Sequence, residues 1–395
     1  MPDFIFATCQ IGAEPALKAE VARDWPALRF AYSRPGFLTF KSLSESSRGL
    51  SPFVKSSEQK GTVPLSASGS RIGSKSPEAL LAANLRDHAE TPLAAGVFAR
   101  ASGFSLGKAG SGTIEERAAS VWQLAGQRPF RRLHVWRRDL VGPDHRGKIH
   151  EPFPSIADVE AAIRQAGLTG EASLEAFAPG EPTRPGDLVL DCVVVEPDEW
   201  WIGFHVARNV ASCWQGGLFS AELPPDAVSR AWLKMEEALV WSGLPIAAGD
   251  LCAEIGSAPG GASQALLGHG AHVIGIDPAD MDPRVLAHPA FAHWKMRGAD
   301  VRRREFRKVR WLMADINVAP TFTLDTVEAI VTHADVDVQG MLLTLKLLDW
   351  SLAADIPAYR ERIRSWGFGR VAARQLHHNR QEICVSAQKG RSRRK

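Results

Sequence analysis

Between residues 221 and 388, short apolar runs alternate regularly with amphipathic stretches. The runs lie at 251 to 255, 272 to 277, 309 to 314, 340 to 347, 371 to 376 and 383 to 388. Parallel strands need a crossover long enough to hold a helix, so this rhythm predicts α/β architecture: a mostly parallel, Rossmann-like sheet with helices on both faces. The first run leads directly into EIGSAPGGASQ (254 to 264), which opens a predicted helix. Glycines there let the backbone approach a ligand closely, while Pro259 suits a loop or first helical turn and Ser263 supplies a polar wall.

The ligand is constrained by what the turn lacks. Gly256, Gly260 and Gly261 do not have the Gly-x-Gly-x-x-Gly spacing of a dinucleotide fingerprint, and no Gly-Lys-Ser/Thr follows as in a phosphate-binding P-loop. An acid at position 254 would repel a pyrophosphate but suits an ammonium, such as that of a methionine moiety. Asp277, in GIDPAD, ends the next apolar run and is placed to accept hydrogen bonds from a ribose diol; Asp300, in RGADVR, follows the segment after that and is placed to meet an adenine amino group. An isolated Asp is more often a turn or cap residue. Three acids after three successive apolar segments favour a nucleoside-bearing ligand instead.

The front half reads differently. A strand pattern at Phe4 to Thr8, a helix around Glu14 to Arg23 and a strand near Gly36 to Lys41 give β-α-β, followed from 42 to 77 by a Ser-, Gly- and Lys-rich stretch read as a flexible insertion. A helix from Pro77 to His88, a strand within 92 to 107, a helix after Ile114, a strand at 133 to 136 and a helix at 155 to 166 come next. A hairpin of 187 to 195 with 200 to 206, turning on EPDE, completes an α+β unit. The expected domains are 1 to 105, 106 to 220 and 221 to 388, with a basic tail at 389 to 395.

Composition narrows the function classes. No stretch approaches the ~18 apolar residues of a membrane span, and the start MPDFIFATCQIG lacks a secretory pattern, so a cytoplasmic protein without membrane association is expected. Five scattered cysteines without a Cys-x-x-Cys pair predict reduced thiols and no zinc. Net charge is only +3, but basic residues cluster at 128 to 138, 302 to 310 and 389 to 395, which fits phosphate contact or simply solvated surface.

Four segments resemble the FtsJ-like ribose 2′-O-methyltransferases, and within them the RlmM-type enzymes that methylate a cytidine ribose of bacterial 23S ribosomal RNA: SRAWLKMEEAL (229 to 239), EIGSAPGGAS (254 to 263), WLMADINVAP (311 to 320) and ARQLHHNRQEICV (373 to 385). The resemblance covers about 221 to 388, and Glu254 stands where an Asp is more usual. It implies S-adenosylmethionine as cofactor, held by Glu254, Gly256, Pro259, Gly260, Gly261, Ser263, Asp277, Asp300 and Asp315, with no metal. It also implies RNA, specifically 23S ribosomal RNA and not DNA, as partner. The front half would then be a ferredoxin-like unit plus a THUMP-like RNA-binding domain, in a monomer.

The resemblance further implies a catalytic tetrad of Lys234, Asp315, Lys346 and Glu382. A ribose hydroxyl is a weak acid, so its attack on an activated methyl needs a base. Lys346 lies in the apolar run GMLLTLKLL, where burial and the nearby cation Lys234 would both favour loss of its proton, making it the expected general base. Asp315 would orient it and Glu382 would position Lys234 and the hydroxyl, with Asn379 and Arg380 as candidates for RNA contact. Base amino methylation would call for an Asn/Asp-Pro-Pro-aromatic run where the chain has DINVAP, and cytosine C5 methylation for a nearby Cys that is not there. A catalytically inactive RNA-binding paralogue, and an O-methyltransferase for another RNA or a small molecule, remain as alternatives.

Overall fold

The computed structural model describes residues 4–42, 91–142, 153–168 and 181–390. Two seven-stranded sheets organise them, one in each half. The front sheet has the order β2-β3-β1-β4-β7-β6-β5. Its strands are β1 (Phe4–Thr8), β2 (Leu28–Arg34), β3 (Phe37–Ser42), β4 (Ala101–Lys108), β5 (Arg132–Arg137), β6 (Leu188–Glu196) and β7 (Glu199–Val206). All neighbours are antiparallel except β5 and β6. The helices α1 (Glu14–Asp24), α2 (Ile114–Ala125) and α3 (Ile156–Leu168) belong to this half. Thr113 and Glu116 form a capping box that starts α2, and the Trp122 indole of α2 donates to the Ile163 carbonyl of α3 at 2.7 Å.

Two expectations change here. The strand β2 was not anticipated: its residues LRFAYSR are mostly exposed and a bulge lies between Phe30 and Tyr32, so no apolar alternation marks it. The division expected at 105/106 falls inside β4, which pairs with β1 on one side and β7 on the other, so both front units share one sheet. The insertion expected at 42 to 77, beyond Ser42, and the helix at 77 to 88 lie outside the described residues, as does most of the basic tail.

The second sheet has the order β10-β9-β8-β11-β12-β14-β13. Its strands are β8 (Leu251–Ile255), β9 (His272–Ile276), β10 (Phe291–Trp294), β11 (Trp311–Asp315), β12 (Gly340–Lys346), β13 (Arg370–Arg374) and β14 (Glu382–Gln388). Strands β8 to β12 run parallel to one another, and β14 runs antiparallel between β12 and β13. Short α4 (Val210–Cys213) lies in the linker from the front half, followed by α5 (Ala231–Ser242), α6 (Gly261–Gly268), α7 (Pro283–Leu286), α8 (Pro320–Val331) and α9 (Ile356–Ser365). This is the mostly parallel Rossmann-like sheet that the alternation implied. Among the described residues no helix is long and apolar enough to cross a membrane.

The halves are joined by a buried seam. Arg374, at the end of β13, donates to the carbonyls of Ala94 at 3.3 Å and Arg100 at 2.7 Å, and burial pulls its guanidinium down to about 10. The Glu20 carboxylate of α1 accepts the Val97 and Phe98 amides at 2.7 and 3.2 Å, shaping the same 94–100 segment, and Phe98 meets Trp350 edge-on. Gln375 donates its amide to Val97 rather than to a sheet neighbour, which is why β13 stops at Arg374 and not at the expected 376.

Candidate active site

The parallel strands end at one edge of the second sheet, and antiparallel β14 begins there. Strand order reverses between β8 and β11, so the connections leave in opposite directions and open a crevice outside the carboxyl ends, where ligands bind in such sheets. Glu254 in β8, Asp277 after β9, Asp315 ending β11, Lys346 ending β12 and Glu382 starting β14 all stand at this edge.

Sterics explain the turn after β8. Gly256 has φ +82°, and a Cβ there would collide with the Asp315 carbonyl oxygen across the crevice. Gly260 has φ +117°, and its Cβ would sit 2.8 Å from Val285 and 3.0 Å from Met281. Pro259 accepts the Asp282 amide at 3.0 Å, and Gly261 opens α6 against Ser229 and Trp232. Gln264 of α6 bonds Val228 at 3.0 Å and Asp226 at 3.1 Å, which sets the start of α5 and hence Lys234.

Asp277 accepts the Ala258 amide at 3.2 Å and the Ala279 amide at 2.8 Å, so it shapes the loop as well as facing the crevice. Asp300 is exposed in a 3-10 turn; Gly298 of the same turn packs against Ile255, bringing the turn over the end of β8.

The four tetrad candidates form a closed ring of alternating charge. Lys234 Nζ lies 2.6 Å from Asp315 Oδ2 and 2.7 Å from Glu382 Oε1; Lys346 Nζ lies 2.7 Å from Asp315 Oδ1 and 2.5 Å from Glu382 Oε2. Lys346 and Glu382 are register partners on β12 and β14, so backbone pairing alone sets one side of the ring. Each carboxylate bridges both ammoniums. The environment expected for Lys346, burial beside a second cation, thus also contains two carboxylates in contact with it.

The electrostatics follow from this ring. Burial opposes charge on Lys234, but Asp315 and Glu382 outweigh it and hold the ammonium above its ordinary range. Burial likewise opposes charge on Asp315 and on Glu382, yet the two lysines hold both carboxyls below the usual carboxylate range.

Glu254 behaves oppositely. It is 2% exposed, accepts the Ser263 hydroxyl at 2.5 Å, and is pushed up to about 8 by burial and by Asp315 and Asp277, against the Ser263 bond and Lys234. A buried carboxyl near two other acids favours a cationic group, and the glycines let the turn beside it pack tightly against Asp315, Val285 and Ser229. These residues fit S-adenosylmethionine, which carries an ammonium and a sulfonium.

Sequence reasoning missed Glu237. On α5 it reads as one acid of a surface MEEAL, yet it is fully buried and accepts the amides of His377 and His378 at 2.7 and 2.8 Å. Burial pushes it up to about 7, against those two hydrogen bonds. It thereby fixes the loop between β13 and β14 that delivers Glu382. Asn379 is also internal rather than a surface contact: its Oδ1 accepts the Leu376 amide at 2.9 Å and its Nδ2 donates to Glu382 at 3.4 Å, so the expected RNA contact becomes a brace for the ring.

Comparison with known proteins bears on the same stretch of chain. The FtsJ-like methyltransferase family matches residues 227–354. The ribosomal RNA large subunit methyltransferase M of Xylella fastidiosa (strain M12) is 29% identical over 198 residues, 47% of this chain and 55% of that protein. The protein of that name from Azotobacter vinelandii is 29% identical over 197 residues, 47% and 54% of the two chains. The chain spans about half the length of these curated relatives. Among solved structures, the fibrillarin pre-rRNA processing protein of Methanococcus jannaschii aligns with TM-score 0.32 at 10% identity, covering 54% of this chain and 86% of that one. With that family match lying over the crevice, residues 227–354 carry an FtsJ-like methyltransferase domain, of the kind that depends on S-adenosylmethionine.

Proposed function

We propose that the protein transfers a methyl group to a ribose 2′-hydroxyl of RNA, with a cytidine of large-subunit (23S) ribosomal RNA as the target. The observation that carries this reading is the closed ring of Lys234, Asp315, Lys346 and Glu382 beside the Glu254 turn. The names of the relatives support ribosomal RNA as the substrate.

S-adenosylmethionine would supply a methyl already activated on sulfur, so the protein's tasks are to position the hydroxyl and remove its proton. Glu254, Gly256, Pro259, Gly260, Gly261, Ser263, Asp277, Asp300 and Asp315 are the proposed cofactor residues. The ring is neutral overall, and a cation bound next to it favours release of one proton from the cluster. Lys234 is held charged by its two carboxylates; Lys346 contacts the same pair at the end of β12 and is the proposed base. Its Nζ would accept the hydroxyl proton while Asp315 and Glu382 keep it aimed into the crevice. Lys234 would stay charged beside the developing alkoxide and stabilise it.

The front half is proposed to dock the RNA through ferredoxin-like and THUMP-like units in a monomeric, cytoplasmic enzyme. Single-turnover methylation of a 23S ribosomal RNA transcript tests the reading, with the modified ribose recognised by its resistance to alkaline cleavage. Methylation of a base, or none with any ribosomal RNA, would refute it.

A further inference from the structure

A second polar cluster lies in the front half, away from the crevice. His134 of β5, Asp191 of β6 and His205 of β7 share one face of the sheet: His134 and Asp191 are register partners, and His205 pairs with Val189, one diagonal step from Asp191. All three are buried, and one ligand atom from each lies within 4.8 Å of the others. The linker to the methyltransferase half covers them, since Ser212 at the end of α4 offers its carbonyl to His205 Nε2 at 2.9 Å and Gln215 bonds the Val135 carbonyl.

The hydrogen bonds do not close. A carbonyl only accepts, so His205 Nε2 carries the ring proton, and in the neutral ring Nδ1 then turns a lone pair toward Asp191 Oδ2, only 2.7 Å away. A second proton between them would satisfy that contact. It would still leave His134 Nδ1 and Asp191 Oδ1, both buried, facing each other at 4.0 Å without a hydrogen-bond partner among the described residues. One cation between the three side chains satisfies every one of these atoms.

We propose that His134 Nδ1, the Asp191 carboxylate and His205 Nδ1 bind a divalent transition metal, zinc by its preference for imidazole and carboxylate, which staples the front sheet to the linker. The outer contacts match. His134 Nε2 meets the Thr183 hydroxyl at 2.9 Å and His205 Nε2 meets the Ser212 carbonyl, the second bonds that orient metal-bound imidazoles. Tetrahedral zinc needs ligand atoms about 3.3 Å apart, which small side-chain rotations reach from the present spacing. A cavity that Ser102, Asn209 and Trp214 help to line adjoins the three side chains.

Metal analysis of the full-length protein tests this. After chelator treatment and dialysis, added zinc is expected to bind with one equivalent per chain and to raise the unfolding temperature. Cobalt in its place is expected to give the visible absorption of a four-coordinate ion. His134→Gln and Asp191→Asn are each expected to weaken zinc binding by about a hundredfold or more, while His378→Ala, at the other paired histidines, leaves it unchanged. Absence of zinc and cobalt binding to the wild type overturns the proposal whatever the variants do, leaving a shared proton or a water in the site. Wild-type affinity in both folded ligand variants, or loss of binding in His378→Ala, overturns it equally.

Discussion

The carboxyl edge of the second sheet and the covered face of the first both bring acids and bases together, but they solve opposite problems. At the edge, two ammoniums and two carboxylates neutralise one another while remaining partly open to solvent, with side-chain exposures of 19% for Lys234 and 26% for Asp315. On the covered face, one carboxylate stands between two imidazoles with almost no solvent and two atoms unsatisfied. A closed, accessible ring can gain and lose a proton during a reaction. A dry, unclosed cluster calls for a permanent occupant, because buried polar atoms without partners cost about 1–3 kcal/mol each.

The largest effect that would sharpen this contrast is at Lys346. Lys346→Ala is expected to reduce single-turnover methyl transfer by about a thousandfold or more, with S-adenosylmethionine affinity measured by calorimetry nearly unchanged. Lys346→Arg keeps the charge and the ring but has no dissociable proton near neutral pH, and should fail as fully. Near wild-type turnover in the arginine variant would leave the ring a purely positioning device. Zinc added to either variant should stabilise it as it does the wild type, since the two clusters lie in different sheets.

Glu254 comes next. Its folded value of about 8 lies above its ordinary 4.5, so the fold binds the extra proton. Its contribution to stability is complete below 4.5 and is lost as pH rises through about 8. Cofactor binding runs the other way, because an ammonium needs the carboxylate. Wild-type affinity for S-adenosylmethionine should therefore climb toward pH 8. Glu254→Gln should weaken it by about tenfold to a hundredfold at pH 8 and flatten the climb, while raising the unfolding temperature of the cofactor-free protein at alkaline pH. A variant that binds as tightly as wild type would break the assignment of Glu254 to a cationic group.

Much of the edge was legible because a parallel sheet projects chain order onto one line. Glu254, Asp277, Asp315 and Lys346 each close an apolar run, and alternation alone brings such residues to the same edge. Glu237 was not legible: its partners are the amides of His377 and His378, 140 residues away, and nothing in MEEAL distinguishes a buried acceptor from a surface acid. The front sheet hid more. His134, Asp191 and His205 become neighbours only through the lateral register of β5, β6 and β7, which no ligand spacing along the chain reports. The same non-local pairing, β4 with β7, fuses units that the pattern of runs and turns divided at 105/106.

A smaller effect is expected at Glu237 itself. Glu237→Ala strips two part-buried amides of their acceptor and should cost about 2–3 kcal/mol. Glu237→Gln keeps one oxygen but turns an amino group toward the other amide. In the glutamine variant methyl transfer is expected to slow several-fold with cofactor affinity unchanged, because Glu382 is less well fixed. An equal loss of cofactor affinity would mean that the loop serves the binding crevice rather than the ring.

The smallest effects separate the two halves by their basic clusters. In the front half the run 128 to 138 is largely spent on internal bonds: Arg128 donates to the Ala125 carbonyl, Arg132 pairs with Asp187 and Glu181, and Arg138 is buried against Val195 and Glu196. In the methyltransferase half, Arg302, Arg304, Arg307 and Lys308 are exposed along a 3-10 turn. If phosphates are met there, Arg307→Glu with Lys308→Glu should weaken RNA binding modestly and lower the slope of log affinity against log salt by about one per lost contact, without altering thermal stability. Arg138→Ala should do the reverse, lowering the unfolding temperature and leaving the salt slope as it was, since its guanidinium is largely buried and holds β5 to β6. Filter binding of a 23S ribosomal RNA fragment across a salt series, beside thermal melts, measures both. A changed slope in Arg138→Ala with an unchanged one in the double variant would place the phosphate contacts on the 128 to 138 run and not on the 3-10 turn.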